Sequence, residues 1–317
     1  MFYIGVDLGG TNIAVGLLND EFEIIAKEKC STGIERGLKA MMDDMGALCN
    51  TLMEKNNLTP DDIAYIGIAA PGSIDVDNGI VSYSNNLKME NYHIADELSS
   101  RTGVKKILVE NDANAAALGE ALKGAGKGKD NVIMITLGTG VGGGIVINRH
   151  LYSGFNFAGG ELGHTVIKTD GRQCNCGRQG CWETYSSATG LKNMTKEKLT
   201  KTKDTIMWDM IEGNLDNITG RTAFDAAKQN DKAGKDVVEE YIYYLAVGLA
   251  NMINIFQPEV LCIGGGVCGE GDYLLNPLKK LVRQEEYGHS QRTKFTELKI
   301  AELGNDAGII GAGLLGQ

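Results

Sequence analysis

The chain lacks the features that would place it on a nucleic acid or in a membrane. Its 317 residues carry a net charge of −10 with no long basic run, which argues against nucleic acid as a partner. No apolar run approaches the roughly 20 residues that a membrane span requires, and the N-terminus has neither the basic start nor the long apolar stretch of a signal peptide. An odd total of seven cysteines, four of them scattered, argues against a disulfide framework. With 43% hydrophobic residues, the composition predicts a globular protein with an ample core in a reducing cytoplasm.

Proline is scarce, with 4 residues, whereas the 43 glycines are nearly twice the average share of about 7%. Many of these glycines cluster after apolar runs, in turns at 9–10, 138–144 and 264–266. Without a Cβ the backbone approaches a ligand closely, and its N–H groups point at phosphate oxygens. None of the turns is a Walker A loop or a G-x-G-x-x-G followed by a helix, which disfavours a dinucleotide site. Three such turns, with Asp7 just before the first, predict a nucleoside triphosphate and its magnesium ion.

One short segment concentrates the metal-binding chemistry of the chain. Residues 160–183 read GELGHTVIKTDGRQCNCGRQGCWE, and three thiols with an imidazole are the ligand set of a closed tetrahedral zinc site. The alternative, in which these are ordinary core residues, fits poorly with three cysteines in eight residues spaced by glycines and flanked by charges. The segment therefore predicts a structural zinc and two carboxylates just outside it that face something polar. The predicted zinc ligands are His164, Cys174, Cys176 and Cys181, and the two carboxylates are Glu161 and Glu183.

Strands and helices alternate along the chain, which predicts an α/β architecture with mostly covered sheets. Apolar residues that recur at spacings of three and four predict an amphipathic first helix whose methionines belong to the core. The predicted strands are 2–8, 13–18, 22–27, 63–70, 104–110, 132–137, 145–148, 260–263 and 298–302. The predicted helices are 38–53, 113–122, 237–256 and 307–315.

The pattern of strand, glycine turn and strand in residues 2–18 returns in residues 132–148. This weak internal repeat predicts two halves of related design. The polar, glycine-rich stretch 124–130 is the best linker candidate between them. An Asp77-Asn78-Gly79 sequence indicates a hairpin turn.

Asp112 stands where a predicted strand passes into a predicted helix, in the crevice where open α/β sheets bind ligands. A purely structural role as helix N-cap is the alternative, because Asp fills that role well. Its neighbour Asn111 and the carboxylates of the zinc segment favour a catalytic role.

Six motifs stand in order along the chain: D-L-G-G-T-N at 7–12, A-P-G at 70–72, E-N-D-A-N-A-A-A-L-G-E at 110–120, L-G-T-G-V-G-G-G-I at 137–145, G-E-L-G-H at 160–164 and C-N-C-G-R-Q-G-C-W-E at 174–183. Together they resemble the ROK family of sugar kinases and repressors, and within it most of all the bacterial ATP-dependent glucokinases. The resemblance runs from residue 2 to about residue 190. It resumes at the Gly264 turn and the terminal G-N-D-A-G-I-I-G-A, and residues 190–235 lie outside the motifs.

The resemblance implies two actin-like (ribonuclease-H-like) domains flanking a catalytic cleft. We expect a smaller domain of residues 1–122 plus 303–317 and a larger domain of residues 123–302 that carries the zinc site. It also implies an ATP- and magnesium-dependent hexokinase that phosphorylates D-glucose at the 6-hydroxyl, with Asp112 as general base.

The resemblance further assigns each motif residue a ligand. Residues expected to hold ATP and magnesium are Asp7, Gly9, Gly10, Thr11, Asn12, Thr139 and Gly140, with Gly265 and Gly266 near the adenosine. Residues expected to contact the sugar are Gly72, Asn86, Asn111, Asp112, Glu161, His164 and Glu183. His164 would ligate zinc through its other ring nitrogen, and Asn85 is the alternative to its neighbour Asn86.

Several alternatives stay open at this point. The hexose could instead be N-acetylmannosamine, N-acetylglucosamine, mannose or fructose, polyphosphate could replace ATP, and the chain is expected to form a homodimer or homotetramer. A non-catalytic sugar sensor would be expected to lose Asp7 or Asp112, and both are present. Repressor members carry a helix-turn-helix before the first glycine turn, whereas this sequence has one residue before its first strand. A zinc-based interaction module would want more basic or aromatic residues around the cysteines.

Overall fold

The computed structural model describes residues 1–288, 290, 291 and 293–317. Contacts within the chain divide these residues into two compact units. The first unit comprises Met1–Met134, Gly144–Gly160 and Glu302–Gln317, and the second comprises Ile135–Gly143 and Glu161–Ala301. The domain boundaries expected from the sequence, at 122/123 and 302/303, stay a prediction.

The strands are β1 (Phe2–Leu8), β2 (Asn12–Leu18), β3 (Ile24–Ser31), β4 (Ile63–Ala70), β5 (Ser73–Asp75), β6 (Ile80–Ser84), β7 (Met89–Tyr92), β8 (Ile107–Asn111), β9 (Val132–Leu137), β10 (Val141–Ile147), β11 (His150–Leu151), β12 (Val260–Gly264) and β13 (Glu297–Ile300). The α-helices are α1 (Leu38–Lys55), α2 (Ile94–Thr102), α3 (Asp112–Lys123), α4 (Glu183–Ser186), α5 (Ala188–Lys201), α6 (Met207–Met210), α7 (Thr222–Lys228), α8 (Lys232–Phe256), α9 (Asp272–Glu285) and α10 (Ala307–Leu314). Strands alternate with helices, as the sequence predicts for an α/β protein.

Two five-stranded sheets repeat one strand order. The first runs β3-β2-β1-β4-β8, with β1–β2 and β2–β3 antiparallel and β1–β4 and β4–β8 parallel. The second runs β11-β10-β9-β12-β13, with β10–β11 antiparallel and β12–β13 parallel. Numbered within its own sheet, each reads 3-2-1-4-5, which confirms the two related halves that the repeated strand–turn–strand pattern predicts.

A small third sheet, β5-β6-β7, was not predicted from the sequence apart from its first turn. β5 and β6 pair antiparallel around the Asp77-Asn78-Gly79 turn, and Gly79 has a φ of 65° there. The strands are short, at three to five residues, so they have too little alternation to stand out as a pattern.

Several predicted boundaries shift in the structure. β3 covers Ile24–Ser31 rather than 22–27, β10 begins at Val141 rather than at 145, and α8 begins at Lys232 rather than at 237. The early start of α8 follows from its N-cap, because the Asp231 side chain accepts a hydrogen bond from the Gly234 N–H at 2.7 Å. β10 is longer because its consecutive glycines pair as a strand although glycine has a low strand propensity.

The core of the first unit lies between its sheet and the helices. Met41, Met45 and Leu52 of α1 are each at most 1% exposed, which confirms that the methionines of this helix belong to the core. The helix α10 packs on β1, β4 and α3. Its backbone is in direct contact with the sheet, because a Cβ at Gly5 of β1 or Gly67 of β4 would clash with a carbonyl oxygen of α10. A Cβ at Gly311 of α10 would lie within 3.0 Å of the Ala115 carbonyl oxygen of α3. Within the described residues, no helix is both long and apolar enough to cross a membrane.

Candidate functional site

The first glycine turn joins β1 to β2 and follows Asp7. The turn is closed by the Gly9 N–H, which donates to the Asn12 carbonyl at 2.9 Å. Thr32, which follows β3, also stabilises the turn. Its hydroxyl donates to the Gly9 carbonyl at 2.6 Å and its N–H donates to the Thr11 carbonyl at 2.8 Å. Gly10, Thr11 and Asn12 are exposed, so the predicted phosphate loop is accessible from the surface.

Asp7 and Asp112 are two partly buried carboxylates in the first unit. Burial, and after it the negative charge of Asp112, raises the pKa of Asp7 to about 6. Burial also raises the pKa of Asp112, although the hydrogen bond from the Ala113 N–H opposes the rise. The backbone of Gly308 in α10 closes the space beside Asp7, because a Cβ there would lie 2.8 Å from its carboxyl carbon. Two partly buried carboxylates, one of which is harder to ionise because of the other's charge, are a suitable site for a cation.

Asn111, rather than Asp112, is the N-cap of α3. Its side-chain oxygen accepts from the N–H groups of Ala113 at 2.9 Å and Asn114 at 3.2 Å, and its amide nitrogen donates to the Gly72 carbonyl at 3.1 Å. Asp112 is the first residue of the helix. Asp112 Oδ1 also accepts from the Ala113 N–H, at 2.8 Å, but the residue in the N-cap position is Asn111, so the purely capping role considered for Asp112 falls to Asn111.

Glu110 is a functional candidate that sequence reasoning missed. Its side chain is buried, at 5% exposed, and accepts from the Asn111 N–H at 2.8 Å and from the Asn114 side-chain amide at 3.0 Å. Burial raises the pKa of this carboxyl. Glu110 therefore fixes the backbone of Asn111 through a buried hydrogen bond. Its signal in the sequence was its place in the E-N-D-A-N motif, directly before the predicted site residues.

The structure favours Asn86 over Asn85 as the asparagine near the first glycine turn. Both are exposed residues of the turn between β6 and β7. A Cβ at Gly10 would lie 4.0 Å from the Asn86 Cβ, whereas Asn85 does not stand within that reach of Gly10. Gly72, Asn86, Asn111 and Asp112, with the first glycine turn, thus all belong to the first unit.

The four predicted metal ligands come together in the second unit. The ligand atoms of His164, Cys174, Cys176 and Cys181 all lie within 4.8 Å of one another. Cys174 Sγ is 3.6 Å from His164 Nδ1, and Cys176 Sγ is 3.7 Å from Cys181 Sγ. Tetrahedral bonds of about 2.3 Å to sulfur and about 2.0 Å to nitrogen require S–N and S–S separations of roughly 3.5 and 3.8 Å. The cluster therefore fits a tetrahedral zinc, with the Nε2 atom of His164 left for another partner.

The thiols of this cluster show why a cation suits it. Burial, followed by hydrogen bonds with its neighbouring thiols, raises the pKa of Cys181 to about 12. Burial likewise raises the pKa of Cys174. The pKa of the exposed Cys176 is instead lowered, chiefly by the hydrogen bond from the Arg178 N–H. A bound divalent cation favours the thiolate at all three positions.

The second glycine turn, between β9 and β10, lies directly on Glu183. The Val141 N–H donates to Glu183 Oε2 at 2.9 Å, and a Cβ at Gly140 would lie within 3.0 Å of the same oxygen. A side chain at position 140 would therefore have to displace the Glu183 carboxylate. Glu183 is half-buried and begins α4, two residues after Cys181. Thr139 is exposed at the tip of the turn.

The remaining predicted residues of the second unit lie on either side of this turn. Gly265, with a φ of 97°, packs against the Leu137 carbonyl at the end of β9, so the third glycine turn lies beside the second. Gly266 opens a short 3₁₀ turn, Gly266–Glu270. Glu161 is exposed and precedes the 3₁₀ turn Leu162–His164, accepting from the His164 N–H through its carbonyl at 3.1 Å.

Comparison with known proteins gives consistent relatives. The model of the ROK family matches residues 3–317. A glucokinase of Halalkalibacterium halodurans is 39% identical over 316 residues, which is 99% of this chain and 94% of the relative. The crystal structure of a ROK family glucokinase from Streptomyces griseus in complex with glucose and AMPPNP is 35% identical, with a TM-score of 0.80 over 99% of this chain and 98% of that one. A xylose repressor of Bacillus subtilis is 30% identical over 98% of this chain and 75% of its own length.

Proposed function

The chain belongs to the ROK family, and from that premise we propose that it is an ATP-dependent glucokinase that phosphorylates D-glucose at the 6-hydroxyl. A sugar kinase with the mixed α/β, actin-like fold is the conclusion that the family match and the full-length glucokinase relatives support together. The observation that carries the chemistry is the Asn111–Asp112 turn, in which Asn111 caps the helix and Asp112 is left to act on a ligand.

We assign Asp112 as the general base. In the reaction the glucose O6 attacks the γ-phosphorus of ATP, a new O6–P bond forms, the bond from the γ-phosphorus to the bridging oxygen breaks, and ADP leaves. Asp112 takes the proton that O6 loses. Burial raises the pKa of Asp112. The raised pKa lies closer to the pH at which the enzyme works, which makes the carboxylate a more effective general base.

The first glycine turn and Asp7 are assigned to the phosphates and magnesium. Phosphoryl transfer asks for positioning and charge stabilisation more than for covalent chemistry, and magnesium, when bound, neutralises charge on the transferring group. Asp7 offers it a carboxylate, and Gly9, Gly10, Thr11 and Asn12 offer backbone N–H groups and short side chains. Thr139 and Gly140 are assigned to a second set of phosphate contacts, and Gly265 and Gly266 to the adenosine.

The sugar is assigned to short polar groups held rigidly. Asn111 is fixed by its cap bonds and by its donation to the Gly72 carbonyl. In the second unit the assigned groups are Glu161, His164 and Glu183, and His164 turns Nδ1 to the metal cluster so that Nε2 serves the sugar. The zinc, when bound by His164 and the three cysteines, supplies rigidity to a segment with little regular secondary structure. Asn86 completes the proposed set.

A non-catalytic sugar sensor is the second candidate, because a repressor is among the relatives. Asp7 and Asp112 are both retained, and a sensor has no need of a base or of a cation-binding carboxylate. The sensor would bind a hexose without turnover, so one assay separates the two.

The test is a coupled assay of ADP formation with one hexose at a time under identical ATP and magnesium. We expect kcat/KM to be highest for glucose, with mannose, which differs only at the 2-position, as a slower substrate. A site built to hydrogen-bond a hydroxyl rejects analogues that lack or redirect it, since its own polar groups are then left unpaired. The panel is completed by fructose, N-acetylglucosamine and N-acetylmannosamine.

An N-acetylated sugar or fructose that exceeded glucose tenfold would overturn the glucose assignment and leave the kinase assignment standing. Sugar binding by calorimetry without ADP formation from any hexose would instead select the sensor. Inorganic polyphosphate in place of ATP, in a parallel series, shows whether the phosphoryl donor is ATP alone.

A further inference from the structure

The carboxylate of Glu183 lies between the metal cluster and the second glycine turn. Its Oε2 accepts the Val141 N–H at 2.9 Å, and its Oε1 is 3.9 Å from the Cys174 sulfur. Glu183 follows the metal ligand Cys181 by two residues and is the first residue of α4. One side chain therefore touches both the cluster and the backbone of the turn.

The chain that follows Glu183 holds the rest of the same turn. The Ala188 N–H donates to the Gly138 carbonyl at 2.9 Å, and the Thr189 hydroxyl donates to the Thr139 carbonyl at 2.7 Å. Together with Glu183 on Val141, the segment 183–189 makes hydrogen bonds to the turn at three positions: Gly138, Thr139 and Val141. The segment 183–189 therefore helps to hold the turn in place.

The cluster touches the turn a second time through the chain before His164. A Cβ at Gly163 would lie within 3.0 Å of the Val141 carbonyl oxygen, so the two backbones are in direct contact. Val141 is thus held on its N–H side by Glu183 and on its carbonyl side by the residue next to a metal ligand. Each support lies close in sequence to a metal ligand, because Gly163 directly precedes His164 and Glu183 follows Cys181 by two residues.

We propose that Glu183 is a positioning residue for the second glycine turn and that it makes nucleotide affinity depend on metal occupancy. This rests on the proposed function, which assigns the turn at Thr139 and Gly140 to the phosphates of ATP. When the cluster holds zinc, Glu183 is fixed and keeps the Val141 N–H engaged, and the turn has one shape. When zinc is removed, the segment 183–189 becomes more mobile and the hydrogen bond from the Val141 N–H to Glu183 is lost. ATP then has to order the turn when it binds, which lowers its affinity.

The experiment compares wild type with E183Q and E183A, each with zinc and after chelation. Two quantities are measured without sugar: amide hydrogen exchange at Val141 and the Kd of a non-hydrolysable ATP analogue by calorimetry. In the wild type we expect zinc removal to speed Val141 exchange and to weaken the analogue about tenfold, as for loss of one hydrogen bond to a charged acceptor. E183A should show both changes with zinc still bound, and chelation should add little to them.

E183Q serves as rescue, because its amide oxygen still accepts the Val141 N–H, and it should stay within about threefold of wild-type affinity. The matched control is E197Q, whose carboxylate pairs with Arg172 of the zinc segment at 2.8 Å and does not touch the turn. E197Q should leave both readouts at wild-type values. Circular dichroism of each zinc-loaded variant confirms that the comparison is made on folded protein.

The proposal is overturned if zinc-loaded E183A keeps wild-type Val141 exchange and analogue affinity, or if chelation weakens the analogue as much in E183A as in wild type. Failure of the proposed function gives a different result. In that case the wild type would not bind the ATP analogue, while exchange at Val141 would still report whether Glu183 links the turn to the metal.

Discussion

At the scale of single residues, Asp112 is freed for chemistry by its neighbour. Asn111 supplies the helix cap through two hydrogen bonds, and an asparagine at position 112 keeps an oxygen that can accept from the Ala113 N–H, so this change leaves the start of α3 in place. In D112N the side chain keeps its shape and loses its basicity. We expect turnover to fall by about 10² or more, as for loss of a general base, and the glucose Kd measured by calorimetry to change little.

The counterpart of that prediction is N111A, which removes the cap and should lower the melting temperature, since loss of an N-cap costs about 1 kcal/mol. If D112N kept near-wild-type turnover, Asp112 would have no role as base. If D112N lowered stability as much as N111A, it would contribute to the cap after all.

Asp7 gives a pH prediction whose sign follows from its environment. Its pKa is raised from the ordinary 3.8 to about 6 by burial and by Asp112, so between about pH 4 and pH 6 the folded protein holds a proton that the unfolded chain has released. The contribution of Asp7 to stability therefore falls as pH rises through this window and stays low above it, by about 3 kcal/mol in the absence of a bound cation.

D7N carries no charge at any pH and removes this penalty. We expect the metal-free variant to melt at a higher temperature than wild type at pH 8 and at nearly the same temperature at pH 4, while its kinase activity is lost. In the wild type, kcat/KM should decline as pH falls below about 6, because protonated Asp7 is a poor ligand for magnesium. Equal melting temperatures of D7N and wild type across this range would refute the assignment of the raised pKa.

At the scale of elements, α10 brings the two carboxylates into fixed positions. The helix packs on α3 with backbone-to-backbone contact at Gly311, and its first turn closes on Asp7 through Gly308. Since α3 begins with Asp112, the spacing between α3 and α10 also sets how Asp112 stands relative to Asp7.

G311A tests this packing. The added methyl group meets the Ala115 carbonyl within 3.0 Å and must push the helices apart, so we expect a loss of roughly 1–3 kcal/mol in unfolding free energy. Turnover should fall with it, because both carboxylates move. The matched change G269A places its methyl group in open space and should alter neither melting temperature nor turnover. Wild-type stability in G311A would contradict the close packing.

At the scale of the whole molecule, we expect one zinc per chain to hold an otherwise irregular segment in place. Elemental analysis should find about one equivalent of zinc, as for a closed four-ligand site. C176S removes one ligand and should lose the metal, most of the activity and part of the thermal stability together. C30S changes a half-buried thiol outside the cluster and should keep the metal. A metal-free protein with full activity would end the zinc assignment.

The sequence by itself determined the features that depend on rare residue types or on local periodicity. Three cysteines and a histidine in one segment predicted the metal cluster, and apolar runs of full strand length predicted β1, β4 and β9 at their observed bounds. Glycine turns after strands are also local, because the conformational freedom belongs to the residue. The short strands β5 to β7 escaped prediction, since a few residues carry too little pattern.

Only the tertiary structure decided which polar groups meet. Glu183 engages Val141 across 42 residues, and Asn111 reaches Gly72 across 39. The sequence shows that a carboxylate or an amide stands at each of these positions, but it does not show which group that side chain will bind. Partners so far apart in sequence are brought together by the order of strands in the sheets. The same reason explains why the cap of α3 proved to be Asn111: a hydrogen bond depends on a direction in space, and residue type alone leaves Asn111 and Asp112 equally suited to it.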